Sequence, residues 1–179
     1  MAASYPLSDH GVAVVVRFLE EAGVAHDVLE HEPTYSTLQE AEAVDADPRH
    51  SAKTLALHDR GAWRIAVLPA NHRLDVDRAR RLLNGSRHLR LASEAELAEA
   101  FPAFDVGALP PVGPMLPLPE VLDVRLLYRD HVVFPGGDHR HTIRLDPREL
   151  IRLSEPRVGD ICQRDELSHR KGFGELPRI

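Results

Sequence analysis

Lys53 is one of two lysines in a chain of 179 residues that otherwise draws its positive charge from twenty arginines, the other lysine being Lys171. A guanidinium is a planar, permanently charged fork, whereas a lysine head is a compact, rotatable donor that fits a small pocket and can aim at one oxygen. The flanking Ser51-Ala52-Lys53-Thr54-Leu55-Ala56-Leu57 reads as a buried strand, where a charge is costly unless its tip reaches a polar partner. Lys53 is therefore either a positioned donor in a site or a lysine snorkelling from a strand edge. Ser51 shares a strand face with Lys53, the spacing of a Ser/Lys nucleophile pair, but no nucleophile elbow accompanies it and a structural serine is expected. His139 and His141 would also share a strand face. With no third ligand in view and eleven histidines in the chain, no metal site is expected.

A second chemical feature is a loop. Gly107-Ala108-Leu109-Pro110-Pro111-Val112-Gly113-Pro114 holds three prolines and two glycines in eight residues, so it is neither a regular helix nor a central strand. A third is basic: His72 to Arg90 carries Arg73, Arg78, Arg80, Arg81, Arg87 and Arg90 against Asp75 and Asp77. Such a patch could track phosphates, or it could be a solvated helix face with intrahelical pairs such as Asp77 with Arg81. Phosphate-binding glycine loops, dinucleotide fingerprints, H-E-x-x-H and C-x-x-C are all absent from the sequence.

The elements that must position these residues can be read in order. Ser8 as N-cap, apolar residues at helical spacing and Gly23 predict a helix over 9–22, followed by a strand over 24–29 and a helix from Thr37 to Ala43. Strands at 53–57 and 63–68 form a hairpin through Asp59-Arg60-Gly61. Helices are expected over 78–83, closed by Asn84-Gly85, and from the capping box at Ser93 to Phe101. Strands follow at 121–128, 131–134 and 142–145, and Asp146-Pro147 opens a last helix through Leu153. The order predicts an α/β fold with a mixed, largely antiparallel sheet and surrounding helices. One domain over 1–155 is expected, with 156–179 as a C-terminal tail packed on it or extending from it.

The net charge of −6 and pI near 6.0 argue against broad, non-specific nucleic-acid binding, so any contact must be concentrated. The single Cys162 cannot form an internal disulfide. No apolar run is long enough to cross a bilayer and no leader is recognisable, so a cytoplasmic location is expected.

Four segments in order resemble the YbaK and prolyl-tRNA synthetase-associated editing domain family: His31-Glu32-Pro33-Thr34 leading to Ser51-Ala52-Lys53-Thr54-Leu55; Leu68-Pro69 running to Arg73-Leu74-Asp75; Gly107 to Pro111-Val112-Gly113; and Phe134-Pro135-Gly136-Gly137-Asp138-His139. The resemblance spans roughly residues 10–155 and implies a free-standing hydrolase that cleaves the ester of mischarged aminoacyl-tRNA in trans, without a cofactor or metal. It implies that Lys53 and the loop at Gly107 and Pro111 carry catalysis, while His31, Thr34, Thr54, Pro110, Gly113, Gly137 and His139 surround the substrate. Arg73, Arg78, Arg81 and Arg87 are the expected phosphate contacts, on tRNA-Pro or a related tRNA, and an aminoacyl-tRNA synthetase is a candidate partner. Two positions depart from the family pattern. Pro110 stands where a small hydroxyl residue is common, and Thr54 where some alanine-editing members carry an amide. Alanine, cysteine, serine and threonine stay open as the amino acid removed. The alternative is a tRNA- or synthetase-binding module of the same fold without hydrolysis.

Overall fold

Two β-sheets share one apolar core in the computed structural model, which describes residues 9–112 and 118–164. Ser8, Gly113 and residues 165–179 lie outside the described residues. The first sheet is antiparallel and three-stranded, with β1 (His26–Glu30) and β6 (Val132–Pro135) flanking β7 (His141–Leu145). The second has five strands in the order β4 (Arg90–Leu91), β2 (Ala52–Asp59), β3 (Ala62–Pro69), β5 (Glu120–Asp123) and β8 (Arg157–Gly159). The pairings β2/β3 and β2/β4 are antiparallel, whereas β3/β5 and β5/β8 are parallel. A bridge between Ser51 and Val133, with the Val133 N–H donating to the His50 carbonyl at 2.9 Å, stitches the two sheets together just upstream of Lys53.

Strand β3 is buried on both faces, with Ile65, Ala66, Val67 and Leu68 all inaccessible to solvent, and this divides the apolar interior in two. On one side Ala56, Ile65, Val67 and Leu122 meet Phe134 and Ile143 of the other sheet. Val14, Val15 and Leu19 of α1 (Val12–Glu21) and Leu150 of α5 (Pro147–Ser154) close that layer. On the other side Leu57, Ala66 and Leu68 pack against Ala79 and Leu83 at α3 (Val76–Leu82) and against Ile161 and Cys162.

Helix α2 (Thr37–Ala43) is capped by Ser36, and α4 (Glu94–Ala100) has the full capping box, Ser93 and Glu96 each satisfying the other's N–H. Asp146 caps α5, with Pro147 in its first turn. Three expectations change. Helix α1 starts later, with Gly11 as its N-cap and the Asp138 carboxylate accepting from the Val12 N–H at 3.0 Å. The strand expected over 121–128 ends at Asp123 and continues as a 3-10 turn over Val124–Tyr128. Asp123 causes the break: its fully buried carboxylate accepts from the N–H groups of Arg125 and Ile161, each at 3.0 Å, and from the Cys162 thiol at 3.2 Å. Finally, residues 157–159 are a strand of the sheet, paired in parallel with β5.

Candidate active site

Lys53 stands near the start of β2, opposite Leu68 of β3, so its side chain leaves the sheet beside the loop that follows β3. There the ammonium donates to the Ala70 carbonyl at 3.2 Å and to the His72 carbonyl. An ammonium has three donors, and these two bonds hold the head while leaving one N–H for a ligand. Burial pushes the Lys53 pKa below the ordinary lysine value, and Arg73 acts in the same direction. The strand charge thus has the polar partners it requires, and they are backbone carbonyls fixed by the β2/β3 hairpin.

Lys53 lines a pocket of about 400 Å³ together with Thr54, Ala70, Gly107, Leu109 and Pro135. Leu38, Leu55, Leu91 and Leu97 make much of its wall apolar, and Leu38 and Leu91 are about half exposed at 49% and 47%. Thr54 also lines the pocket, and its hydroxyl is buried with no hydrogen-bond partner among the described residues. Gly107 has φ +89°, a left-handed conformation that L side chains rarely adopt, and the amides of Gly107 and Leu109 find no protein acceptor among the described residues. The neighbouring Ala108 N–H is spent on the Asp105 carbonyl at 3.0 Å. Pro110 and Pro111 do not line the pocket. They are buried and lead into the fully buried Val112.

The remaining residues singled out in the sequence take supporting places. His139 faces the loop: a Cβ on Gly107 would lie 3.9 Å from His139 Cε1, and the His139 ring is 5.2 Å from that of Tyr35. His141 is instead held by Asp138, with Nδ1 2.8 Å from Oδ1, in the cluster that caps α1. Gly137 has φ +98°, and a Cβ there would meet Phe104 Cδ1 at 2.7 Å, so it is a packing glycine. Thr34 is buried and donates its N–H to the His139 carbonyl at 2.9 Å, fixing the segment before α2 against the His139 turn. His31 Nε2 is 3.0 Å from Thr142 Oγ1, which in turn donates to Glu40.

Sequence reasoning missed Glu40. It reads as an ordinary acid on an exposed helix, yet only 6% of it is exposed, and burial raises its pKa to about 7, with the Thr142 hydrogen bond opposing and Asp138 adding to the shift. The one usable signal was that Glu40 and Ala41 occupy the inward face of a seven-residue helix, which needs a polar partner across the core.

The arginines divide. Arg73, Arg81 and Arg87 are exposed. Arg78 is turned inward, 2.6 Å from Asp160 and 3.3 Å from Asp75, and also donates to the Cys162 carbonyl, so its charge fastens the C-terminal segment. The helical pair observed is Asp77 with Arg80 at 2.9 Å, not Asp77 with Arg81. Among the described residues no helix is long and apolar enough to cross a membrane.

Comparison with known proteins places the fold in a family. A family model for the aminoacyl-tRNA editing domain matches residues 31–153. Among solved structures, the chain is similar to a protein proposed as a trans-editing enzyme for prolyl tRNA synthetase, at 31% identity and TM-score 0.76 over 89% of this chain and 99% of that one. It is also similar to a scaffold protein used in computational epitope backbone grafting, at 30% identity and TM-score 0.75 over 85% of this chain and 96% of that one. A protein described as hypothetical aligns at 27% identity and TM-score 0.75, over 83% of this chain and 99% of that one. The family match takes in Lys53, the Gly107 loop and the Gly136-Gly137 turn, and the chain belongs to the aminoacyl-tRNA editing domain family.

Proposed function

We propose that this protein is a trans-acting aminoacyl-tRNA deacylase that removes a small, wrongly attached amino acid, and that Lys53 and the Gly107 loop carry the reaction. The observation behind this reading is that a tethered ammonium and Gly107 and Leu109, whose amides have no acceptor among the described residues, line one largely apolar pocket of about 400 Å³. That volume lies near the low end for ligand sites and suits a small aminoacyl group with part of its ribose. Discrimination against one methylene is worth only ~1–3 kcal/mol in a synthetase pocket, which is the physical reason a second, hydrolytic site is needed.

In the proposed step, water adds to the ester carbonyl carbon with the neighbouring ribose 2′-hydroxyl assisting. The negative charge that develops on the carbonyl oxygen is met by the remaining Lys53 N–H and by the Gly107 and Leu109 amides. The C–O bond to the ribose then breaks, the ribose oxygen takes a proton, and free amino acid and tRNA leave. Thr54 Oγ1, without a partner among the described residues, would bond the substrate's ammonium or side chain. Exposed Arg73, Arg81 and Arg87 supply the phosphate contacts, and no metal takes part in the hydrolysis. A cytoplasmic protein receiving substrate from tRNA-Pro, or a related tRNA, with or without a synthetase partner, fits this activity.

Single-turnover hydrolysis of a mischarged tRNA by Lys53→Ala and Lys53→Arg tests the assignment. Loss of one such donor is expected to slow the chemical step by about 10²–10³-fold with tRNA affinity changed little, and Arg is expected not to rescue because its fork does not fit the two-carbonyl seat. A rate within threefold of wild type would remove Lys53 from the mechanism. The binding-module alternative predicts no turnover in the wild type at all.

A further inference from the structure

At the seam between the sheets, His50 precedes β2, and Asp130 and His131 precede β6. His50 Nδ1 lies 3.4 Å from His131 Nε2 and 3.6 Å from Asp130 Oδ1. The His131 Nδ1 is 3.0 Å from the same Asp130 oxygen. One ligating atom from each of the three residues falls within 4.8 Å of the other two. Zn–N bonds of about 2.0–2.1 Å at tetrahedral angles set neighbouring ligand atoms about 3.3–3.4 Å apart, which is close to the separation of His50 Nδ1 from His131 Nε2 and from Asp130 Oδ1.

We propose that His50, His131 and Asp130 bind a divalent transition ion of the zinc class, with water completing the coordination, and that the ion clamps the two sheets together upstream of Lys53. The backbone already joins these segments through the Ser51–Val133 bridge and the Val133 N–H to His50 carbonyl bond, so the donors sit on a fixed frame. The imidazoles are partly shielded, with side-chain exposures of 22% and 36%, while Asp130 stands at the rim at 79% and leaves a path for the ion. Two imidazoles and one carboxylate suit zinc or cobalt better than calcium or magnesium. The ion takes no part in ester hydrolysis.

The test is titration of the untagged full chain with Co²⁺, reading the visible d–d bands of a low-symmetry site, followed by displacement with Zn²⁺. A saturable 1:1 signal, lost in His50→Gln and His131→Gln and weakened about 10–100-fold in Asp130→Asn, is the expected result. The melting temperature should also rise with Zn²⁺ in the wild type and not in the histidine variants. Asp130→Asn alters an exposed side chain and keeps the comparison valid if a histidine variant fails to fold. No bands at about 0.1 mM Co²⁺, or equal affinity in wild type and Asp130→Asn, would overturn the proposal.

Discussion

Glu120→Gln should make the protein less sensitive to alkaline pH. Glu120 is 3% exposed, on β5 opposite Ile65 of β3, and neither of its carboxylate oxygens has a hydrogen-bond partner among the described residues. The nearby Ser154 hydroxyl donates to the Leu150 carbonyl at 2.8 Å and offsets the burial of Glu120 only in part. Burial accordingly pushes the Glu120 pKa up from 4.5 to about 8. A folded-state pKa above the unfolded one means that the native protein binds the extra proton, so the stabilising contribution is complete below 4.5 and is lost as pH rises through about 8. With about 1.4 kcal/mol per pH unit across that window, the wild type loses about 3.5 kcal/mol from this group between pH 5 and pH 8. Glutamine cannot ionise, and its amide adds a roughly pH-independent cost of about 1–3 kcal/mol for a buried group without partners. The difference in unfolding free energy between variant and wild type should therefore move by about 3.5 kcal/mol in favour of the variant from pH 5 to pH 8, whatever its starting value. Glu40 titrates in the same direction but belongs to both proteins and cancels in the difference. Urea unfolding of both at pH 5, 6, 7 and 8 gives the number. A difference that shifts by less than about 1 kcal/mol would mean that Glu120 is not held protonated in the fold.

Other outcomes follow from individual contacts. Gly137→Ala places a Cβ 2.7 Å from Phe104 Cδ1 and 3.0 Å from the Gly11 carbonyl oxygen at φ +98°, and should cost about 2–3 kcal/mol in a denaturant melt. Arg78→Ala should lower stability by about 1–2 kcal/mol and leave the salt dependence of tRNA binding unchanged. Arg87→Ala should do the reverse, reducing the slope of log affinity against log salt by about one unit in filter binding. The Cys162 thiol is pushed up to about 12, first by burial and then by Asp123, so it should resist a thiol reagent in the native protein and react after unfolding.

Local signals account for what the sequence made legible. The caps at Ser93 and Asp146 lie within three residues of the groups they satisfy, and the β2/β3 hairpin is announced by its own turn. Lys53 stood out because ammonium is scarce in this chain, and its neighbours already formed a strand pattern. What escaped depends on contacts remote in sequence. Strand β8 has two exposed residues out of three and exists only through parallel pairing with β5. The break at Asp123 needs Ile161 and Cys162 to arrive beside it, and the burial of Glu40 needs Thr142 from the far side of the fold. Pro110 and Pro111 stand out in the sequence because three prolines stiffen their loop, while their burial depends on packing that the loop's own composition does not encode.

The central claim is hydrolysis of a mischarged ester. Its most direct test is the release of amino acid from tRNAs charged with alanine, cysteine, serine, threonine or proline, incubated with the wild-type protein in the presence of a chelator. The account predicts rapid cleavage of one or two small noncognate esters, unaffected by the chelator, with the cognate ester spared. Survival of every ester under conditions where the tRNA itself is bound would contradict it and leave a binding module of the editing fold.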